Sequence, residues 1–307
     1  MIVDVDFQSI KQQMNQAIAI NVKNPNLQNL LHSFVNEKKS FNFGHLALVH
    51  HKVFGGKDPV VLRMAAAIEL LILSFDMFDD LEDLDNKLEP WMQIDPAIAL
   101  NAATTLYTVS QHTFLTLSSP LQHQILHAVN KYALQAMEGQ HDDLQNSIQT
   151  EEECLEMMKL KSGSLIALAS VSGMLMANAN YPEVEEYSYQ IGIAAQADND
   201  FRDLFHPMKN DRSLQKKSLP ILYLQKGYNK HAHDLLTFFA SGKEINEEFG
   251  DIKNYKQKLI DSGVAQYLNV IRQVSINRAI RMIEELKIDA KQIETLKTNI
   301  IKTNKTF

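Results

Sequence analysis

Cysteine is nearly absent: Cys154 is the only one in 307 residues. No internal disulfide can form, and a reducing cytoplasm is the expected setting. Long apolar runs are missing too. The longest are Met64–Phe75, with Glu69 inside it, and Leu165–Ala179, with three polar residues; both are too short to span a bilayer. The first residues, Met1 to Asp6, have neither the basic flank nor the apolar centre of a secretory signal. Positive charge is in deficit, with 30 Lys and Arg against 37 Asp and Glu and a formal net charge of −7. No Lys/Arg stripe interleaved with aromatics offsets it, which argues against a nucleic-acid partner. Glycine (11) and proline (8) are few and fall mostly where helices should end.

What remains is helical periodicity, with strand alternation scarce. The pattern predicts helices near 5–20, 25–38, 44–53, 59–83, 95–115, 120–144, 150–178, 183–204, 218–225, 229–240, 252–263, 264–283 and 288–301. Breaks fall at Gly55–Pro59, Ser118–Pro120, Asn180–Pro182 and His206–Lys217. No repeat or linker divides the chain. The expected fold is therefore all-α, with residues 1–307 forming a single domain whose apolar middle helices lie at its centre.

Chemistry concentrates where one of those helices ends. Asp79, Asp80, Glu82, Asp83 and Asp85 are five acids within seven positions, closing an apolar helix. Asp79 and Asp83 lie one turn apart on the same face, with Asp80 beside them. Crowded carboxylates repel and resist losing water, so a cation should sit there. Hard oxygen ligands on a rigid helix suit Mg²⁺, with substrate phosphates completing its shell. Glu82 and Asp85 read as outer-face charge, and Asp76, a turn below, as a ligand or a partner for a lysine. A second cluster, Asn199, Asp200 and Asp203, ends the apolar helix that begins near Tyr187, and Asn199 can offer a carbonyl oxygen to the same ion.

Between the clusters, Gly139 interrupts a helical pattern at a cost of roughly 1 kcal/mol against alanine, so something should approach it closely. Gln140 and Asp143, three apart, can share a cavity. Lys161, beside Ser162 and Gly163, can meet a phosphate, and Lys216-Lys217 supplies further cations. The histidines His50, His51, His112, His123 and His127 show no zinc-ligand spacing. The face formed by Met157, Met158, Met174 and Met176 reads as core.

In this order the motifs resemble the trans-type isoprenyl diphosphate synthases. Asp79-Asp80-Leu81-Glu82-Asp83 matches that family's first DDxxD. Asn199-Asp200-Phe201-Arg202-Asp203, preceded by Gln196, matches the second with Asn in the first place. Gly139-Gln140 with Asp143-Leu144 resembles GQxxDL, Lys161-Ser162 the K-T/S element, and Lys217-Ser218-Leu219-Pro220 the KxTLP-like segment. The resemblance implies a single-domain antiparallel helical bundle around a deep apolar cavity. At its mouth, Asp79, Asp80, Asp83, Asn199, Asp200 and Asp203 would hold Mg²⁺ on an allylic diphosphate. Lys161 would act in catalysis, while Gln140, Asp143, Gln196 and Lys217 bind substrate. Phe75, one turn below Asp79, would form the pocket floor and favour a geranyl or farnesyl donor. Homodimers are common in the family.

The second-substrate half departs from the pattern. The family's GGKxxR segment and its Arg-Arg pair after the first DDxxD are absent. Phe41–Leu48 carries only His45 where a cation belongs, a candidate acceptor-binding residue. Leu84–Trp91 carries Lys87 and no arginine. That pattern resembles the ComQ-type subgroup, and the resemblance implies prenylation of a tryptophan of a small precursor peptide to make a quorum-sensing pheromone. Two alternatives are an ordinary short-chain isoprenyl diphosphate synthase and a degenerate, non-catalytic subunit, the latter favoured by Asn199. A class I terpene cyclase is disfavoured, because Asp203 and Pro207 stand where its second motif needs Ser/Thr and Glu.

Overall fold

The structure, a computed structural model, describes residues 7–84, 86–205 and 216–303. Asp85 and the stretch from His206 through Pro207 to Gln215 therefore lie outside it. Every regular element among the described residues is helical. The first half runs α1 (Phe7–Asn21), α2 (Pro25–Glu37), α3 (Asn42–Val53), α4 (Val61–Asp83), α5 (Pro96–Leu115) and α6 (Gln122–Gln145). The second half runs α7 (Glu151–Met158), α8 (Ser164–Met176), α9 (Glu183–Phe205) and α10 (Leu219–Gln225). It closes with α11 (Lys230–Ser241), α12 (Ile245–Phe249), α13 (Ile252–Ser262), α14 (Val264–Glu284) and α15 (Ala290–Thr303). Local chemistry starts several of them: Asn24 and Asp95 cap α2 and α5 through their side chains, and Thr150 with Glu153 forms a capping box on α7.

Two helices are apolar nearly all round and sit where such helices must, at the centre. Helix α8 buries eleven of its thirteen residues, and α4 buries every position from Met64 to Ser74. Each fully buried Leu, Ile or Met contributes about 1.5–3 kcal/mol. Gly173 lets α8 lie against α3, since a β-carbon there would fall 2.2 Å from the Ala47 carbonyl oxygen. The one charged residue within that buried stretch of α4, Glu69, is fully buried. It accepts the Gly44 N–H at 2.7 Å and faces the Lys38 ammonium at 3.4 Å.

The expected helix over 150–178 is interrupted. Between α7 and α8, residues Lys159–Gly163 form a π-turn, a one-residue wedge that rotates whatever follows it and is frequent at functional sites. A short 3₁₀ turn at Pro90–Gln93, which periodicity could not reveal, follows α4.

Candidate active site

Helix α4 delivers Asp79, Asp80 and Asp83 to the end of the bundle, then stops abruptly. Leu84 caps it at φ 55° and Asn86 follows at φ 45°. A left-handed non-glycine residue costs roughly 1–2 kcal/mol. Here it folds the chain back so that the next residues meet the acids they follow. Asn86 Nδ2 donates to Asp80 Oδ1 at 2.6 Å and Trp91 Nε1 to Asp80 Oδ2 at 2.8 Å. Asp80 is thus turned aside from its neighbours and held by two neutral donors. Burial pushes its pKa up to about 7 against those two bonds.

Asp79 and Asp83 face the other way, into a web of lysines. Lys161 Nζ lies 3.1 Å from Asp79 Oδ1 and 2.8 Å from Asp143 Oδ2. Lys216 Nζ lies 2.8 Å from Asp83 and 3.1 Å from the same Asp143 oxygen. One carboxylate of α6 therefore joins both ammoniums to α4. Burial opposes the Lys161 charge, but Asp79 and Asp143 hold its pKa above the ordinary value. Burial likewise opposes the Asp143 charge, but Lys161 and Lys216 hold that carboxyl below the usual range.

The π-turn sets Lys161 in place, and glycines admit it. A β-carbon on Gly139 would stand 2.3 Å from the Lys161 nitrogen, and one on Gly192 would stand 2.2 Å from Gly163 Cα. Helices α6 and α9 thus grip the turn from both sides, so Gly139 does accommodate a close approach. Ser162 Oγ donates to Gln196 Oε1 at 2.7 Å, and Gln196 Nε2 donates to Asp200 Oδ1 at 3.1 Å. Burial, with Asp203 and Asp143 nearby, pushes Asp200 up to about 7 despite Gln196. Asp200 also senses Lys161, so the two acidic helix ends share one electrostatic neighbourhood.

Some sequence-nominated residues sit elsewhere. Asn199 turns its oxygen to the Arg202 guanidinium, which also holds Asp198 at 3.2 Å. Gln140 donates to Glu82, on the outer flank, at 3.1 Å. His45 faces away from the acids: its ring meets Phe7 edge-on and its Nε2 lies 3.4 Å from Asn299 Oδ1, because that face of α3 receives α1 and α15. At the expected cation site, Lys217 contributes its backbone N–H to Asn146, and the ammonium that reaches the acids is Lys216. Phe75 is half-buried, its ring 6.3 Å from that of Tyr107. Asp76 pairs at 3.8 Å with Lys38.

Beside Asp79 and Asp80 opens a recess of about 320 Å³ between the α2–α3 connection, α4 and the turn that carries Trp91. Its cations are Lys38 and Lys39, and no arginine lines it. Lys87, which the sequence offered, is not among its walls.

Among the described residues no three acids, histidines or cysteines converge as a ready-made metal cage. The donor set nonetheless fits a hard divalent ion. It is all oxygen, burial pushes two of its carboxyls up to about 7, and two others already draw ammoniums to them.

The Polyprenyl synthetase family matches residues 25–256. The tryptophan prenyltransferase ComQ of Bacillus subtilis (strain 168) is 40% identical over 295 residues, covering 95% of this chain and 98% of its own. A crystal structure of a geranylgeranyl pyrophosphate synthase superposes with a TM-score of 0.83 at 18% identity, covering 98% of this chain and 99% of that one. Another, from Corynebacterium glutamicum and complexed with isoprenyl diphosphate and magnesium, gives 0.82 at 15% identity over 98% of both chains. At such identities these two establish the fold. No helix among the described residues is long and apolar enough to cross a membrane.

Proposed function

The chain belongs to the polyprenyl synthetase family, and from that premise we propose that it is a Mg²⁺-dependent prenyltransferase. It moves a geranyl or farnesyl group from its diphosphate to a tryptophan of a precursor peptide, in the cytoplasm, yielding a modified pheromone. One domain carries the site, and a homodimer is the assembly we expect. The observation that carries the donor half is the web in which Lys161 and Lys216 tie Asp79 and Asp83 of α4 to Asp143 of α6, with Asp200 of α9 close enough to feel Lys161. The acceptor half is supported by the tryptophan prenyltransferase relatives and by a neighbouring recess without arginine, poorly suited to a second diphosphate.

Asp79, Asp80 and Asp83 would hold the metal with Asp200 and Asp203, while Asn199 has its oxygen engaged by Arg202. When bound, Mg²⁺ supplies Lewis-acid stabilisation of the departing diphosphate. Lys161 and Lys216, drawn from carboxylates to phosphate oxygens, neutralise the same developing charge. The C–O bond to the allylic carbon breaks and its electron pair leaves with diphosphate. The indole carbon bonds to the cation and the resulting indolium gives up its proton. Phe75 with Tyr107 would close the tail pocket, so Phe75→Ala is expected to shift donor preference toward longer chains. Competition between geranyl, farnesyl and geranylgeranyl diphosphates measures that, and an unmoved preference would remove Phe75 from the floor.

Acidity gives a further check. Carboxyls with pKa about 7 are mostly protonated near pH 6, and cations bind only their ionised form. Binding of Mg²⁺ and diphosphate should therefore release roughly one to two protons from the protein near pH 6 and almost none near pH 8.5. Apparent affinity should climb through pH 7 and then level. Calorimetry in two buffers of different ionisation enthalpy counts those protons.

The deciding experiment incubates tryptophan-containing peptides with geranyl or farnesyl diphosphate and Mg²⁺, then reads the peptide mass. One prenyl increment is expected, abolished by Asp79→Ala. Elongation of isopentenyl diphosphate without peptide modification would overturn the acceptor assignment.

A further inference from the structure

The recess beside Asp79 has its own chemistry. Leu73 and the indole of Trp91, the latter packed edge-on against Phe34 at 5.9 Å, give it apolar walls. Around them stand Glu37, Asp76 and Glu89, beyond Asp79 and Asp80, whose charge a bound metal would offset, against two ammoniums. Lys38 is largely engaged by Glu69, buried behind it at 3.4 Å, which leaves Lys39 as the recess's other positive charge. Glu37 and Glu89 are exposed and hold no ion pair among the described residues. The recess shares Asp79 and Asp80 with the acid cluster, so a molecule lodged there lies next to the departing diphosphate. A second diphosphate would be repelled by Glu37, Asp76 and Glu89. A peptide carrying a positive charge would be drawn in, its apolar part against Leu73 and Trp91.

The geometry points to this recess as a selectivity site for the acceptor peptide, one that takes a basic side chain a few residues from the modified tryptophan against Glu89 and Glu37. The inference rests on the peptide-acceptor reading above and adds to it which peptides are preferred.

Its test uses the full chain with farnesyl diphosphate, Mg²⁺ and three N-acetylated peptides. Each holds a single tryptophan flanked two residues away by arginine, glutamine or glutamate. The arginine peptide should exceed the glutamine peptide about fivefold in kcat/KM and in calorimetric affinity, the value of one favourable charge pair. The glutamate peptide should fall below both, and added salt should narrow the spread. Glu89→Lys lies on an exposed loop, so the fold should tolerate it. It should bring the glutamate peptide level with or above the arginine peptide while leaving the KM for farnesyl diphosphate unchanged. Equal affinities for the three peptides, or an order that Glu89→Lys does not alter, would overturn the recess assignment even if all three are prenylated. If none is prenylated the peptide-acceptor reading fails, and the calorimetric order alone still decides whether the recess selects positive charge.

Discussion

Replacing Lys161 with alanine is expected to lower prenyl transfer by about two to three orders of magnitude in kcat, the usual loss when one preorganised charge-stabilising group is removed. The ammonium is half-buried and stands between Asp79 at 3.1 Å and Asp143 at 2.8 Å. In the free chain it balances carboxylates; in the proposed reaction it would balance diphosphate. Both roles end with truncation, because Lys216 is already shared between Asp83 and Asp143. Lys161→Arg restores charge but not shape: a planar fork replaces a compact ammonium on a turn packed against glycines, so only partial recovery is expected. Thermal stability should change little, since the lost ion pairs are matched by relief of a buried charge. An alanine variant within about threefold of the native rate would show that the web serves folding and not transfer.

How much of this was legible in the sequence depends on whether a residue sits in a periodic element. The acids of α4 and α9 could be placed at helix ends, because each closes a long apolar run, although α4 is apolar nearly all round and its pattern does not fix its rotation. Gly139 could be suspected because it interrupts a helical pattern, although not that its visitor would be the backbone of Lys161. The π-turn could not be read, since Lys159–Gly163 fits an ordinary helix as a string and only packing between α6 and α9 shows the extra residue. Lys216 and Lys217 sit in irregular chain, where no period says which ammonium points inward, and the neighbour was chosen. Asn86 and Trp91 escaped notice because their bonds to Asp80 depend on a left-handed cap at Leu84, a conformation leucine seldom adopts. His45 stands where the family pattern would place a cation, but α1 and α15 cover that face of α3. The absence of arginine from the second-substrate segments was legible directly. That acids replace it around Trp91 emerged only when α2, α4 and the 3₁₀ turn came together.

Gly192→Ala should be among the most disruptive single-methyl changes in the chain. Its new carbon would lie 2.2 Å from Gly163 Cα, 2.4 Å from Gly163 N and 2.7 Å from the Ser162 carbonyl carbon. All three are backbone atoms, so no rotamer change can relieve the contact, and Gly163 cannot retreat freely because Tyr189 Cα already lies 3.0 Å from where its own β-carbon would point. The π-turn must move away from α9. That movement strains the Ser162–Gln196 bond and carries Lys161 off Asp79. Overpacking of this kind costs about 3 kcal/mol or more, which for a chain of this length lowers Tm by roughly 6 °C or more. Gly242→Ala is the control: φ is 66° there and nothing lies within 4 Å, so only conformational strain of about 1 kcal/mol is at stake. At a temperature where the Gly192→Ala chain stays folded, its turnover should still fall well below that of Gly242→Ala, with donor KM raised as Lys161 is displaced. A Gly192→Ala protein with native Tm and native donor KM would mean that α9 does not press on the turn, and the positioning of Lys161 would need another cause.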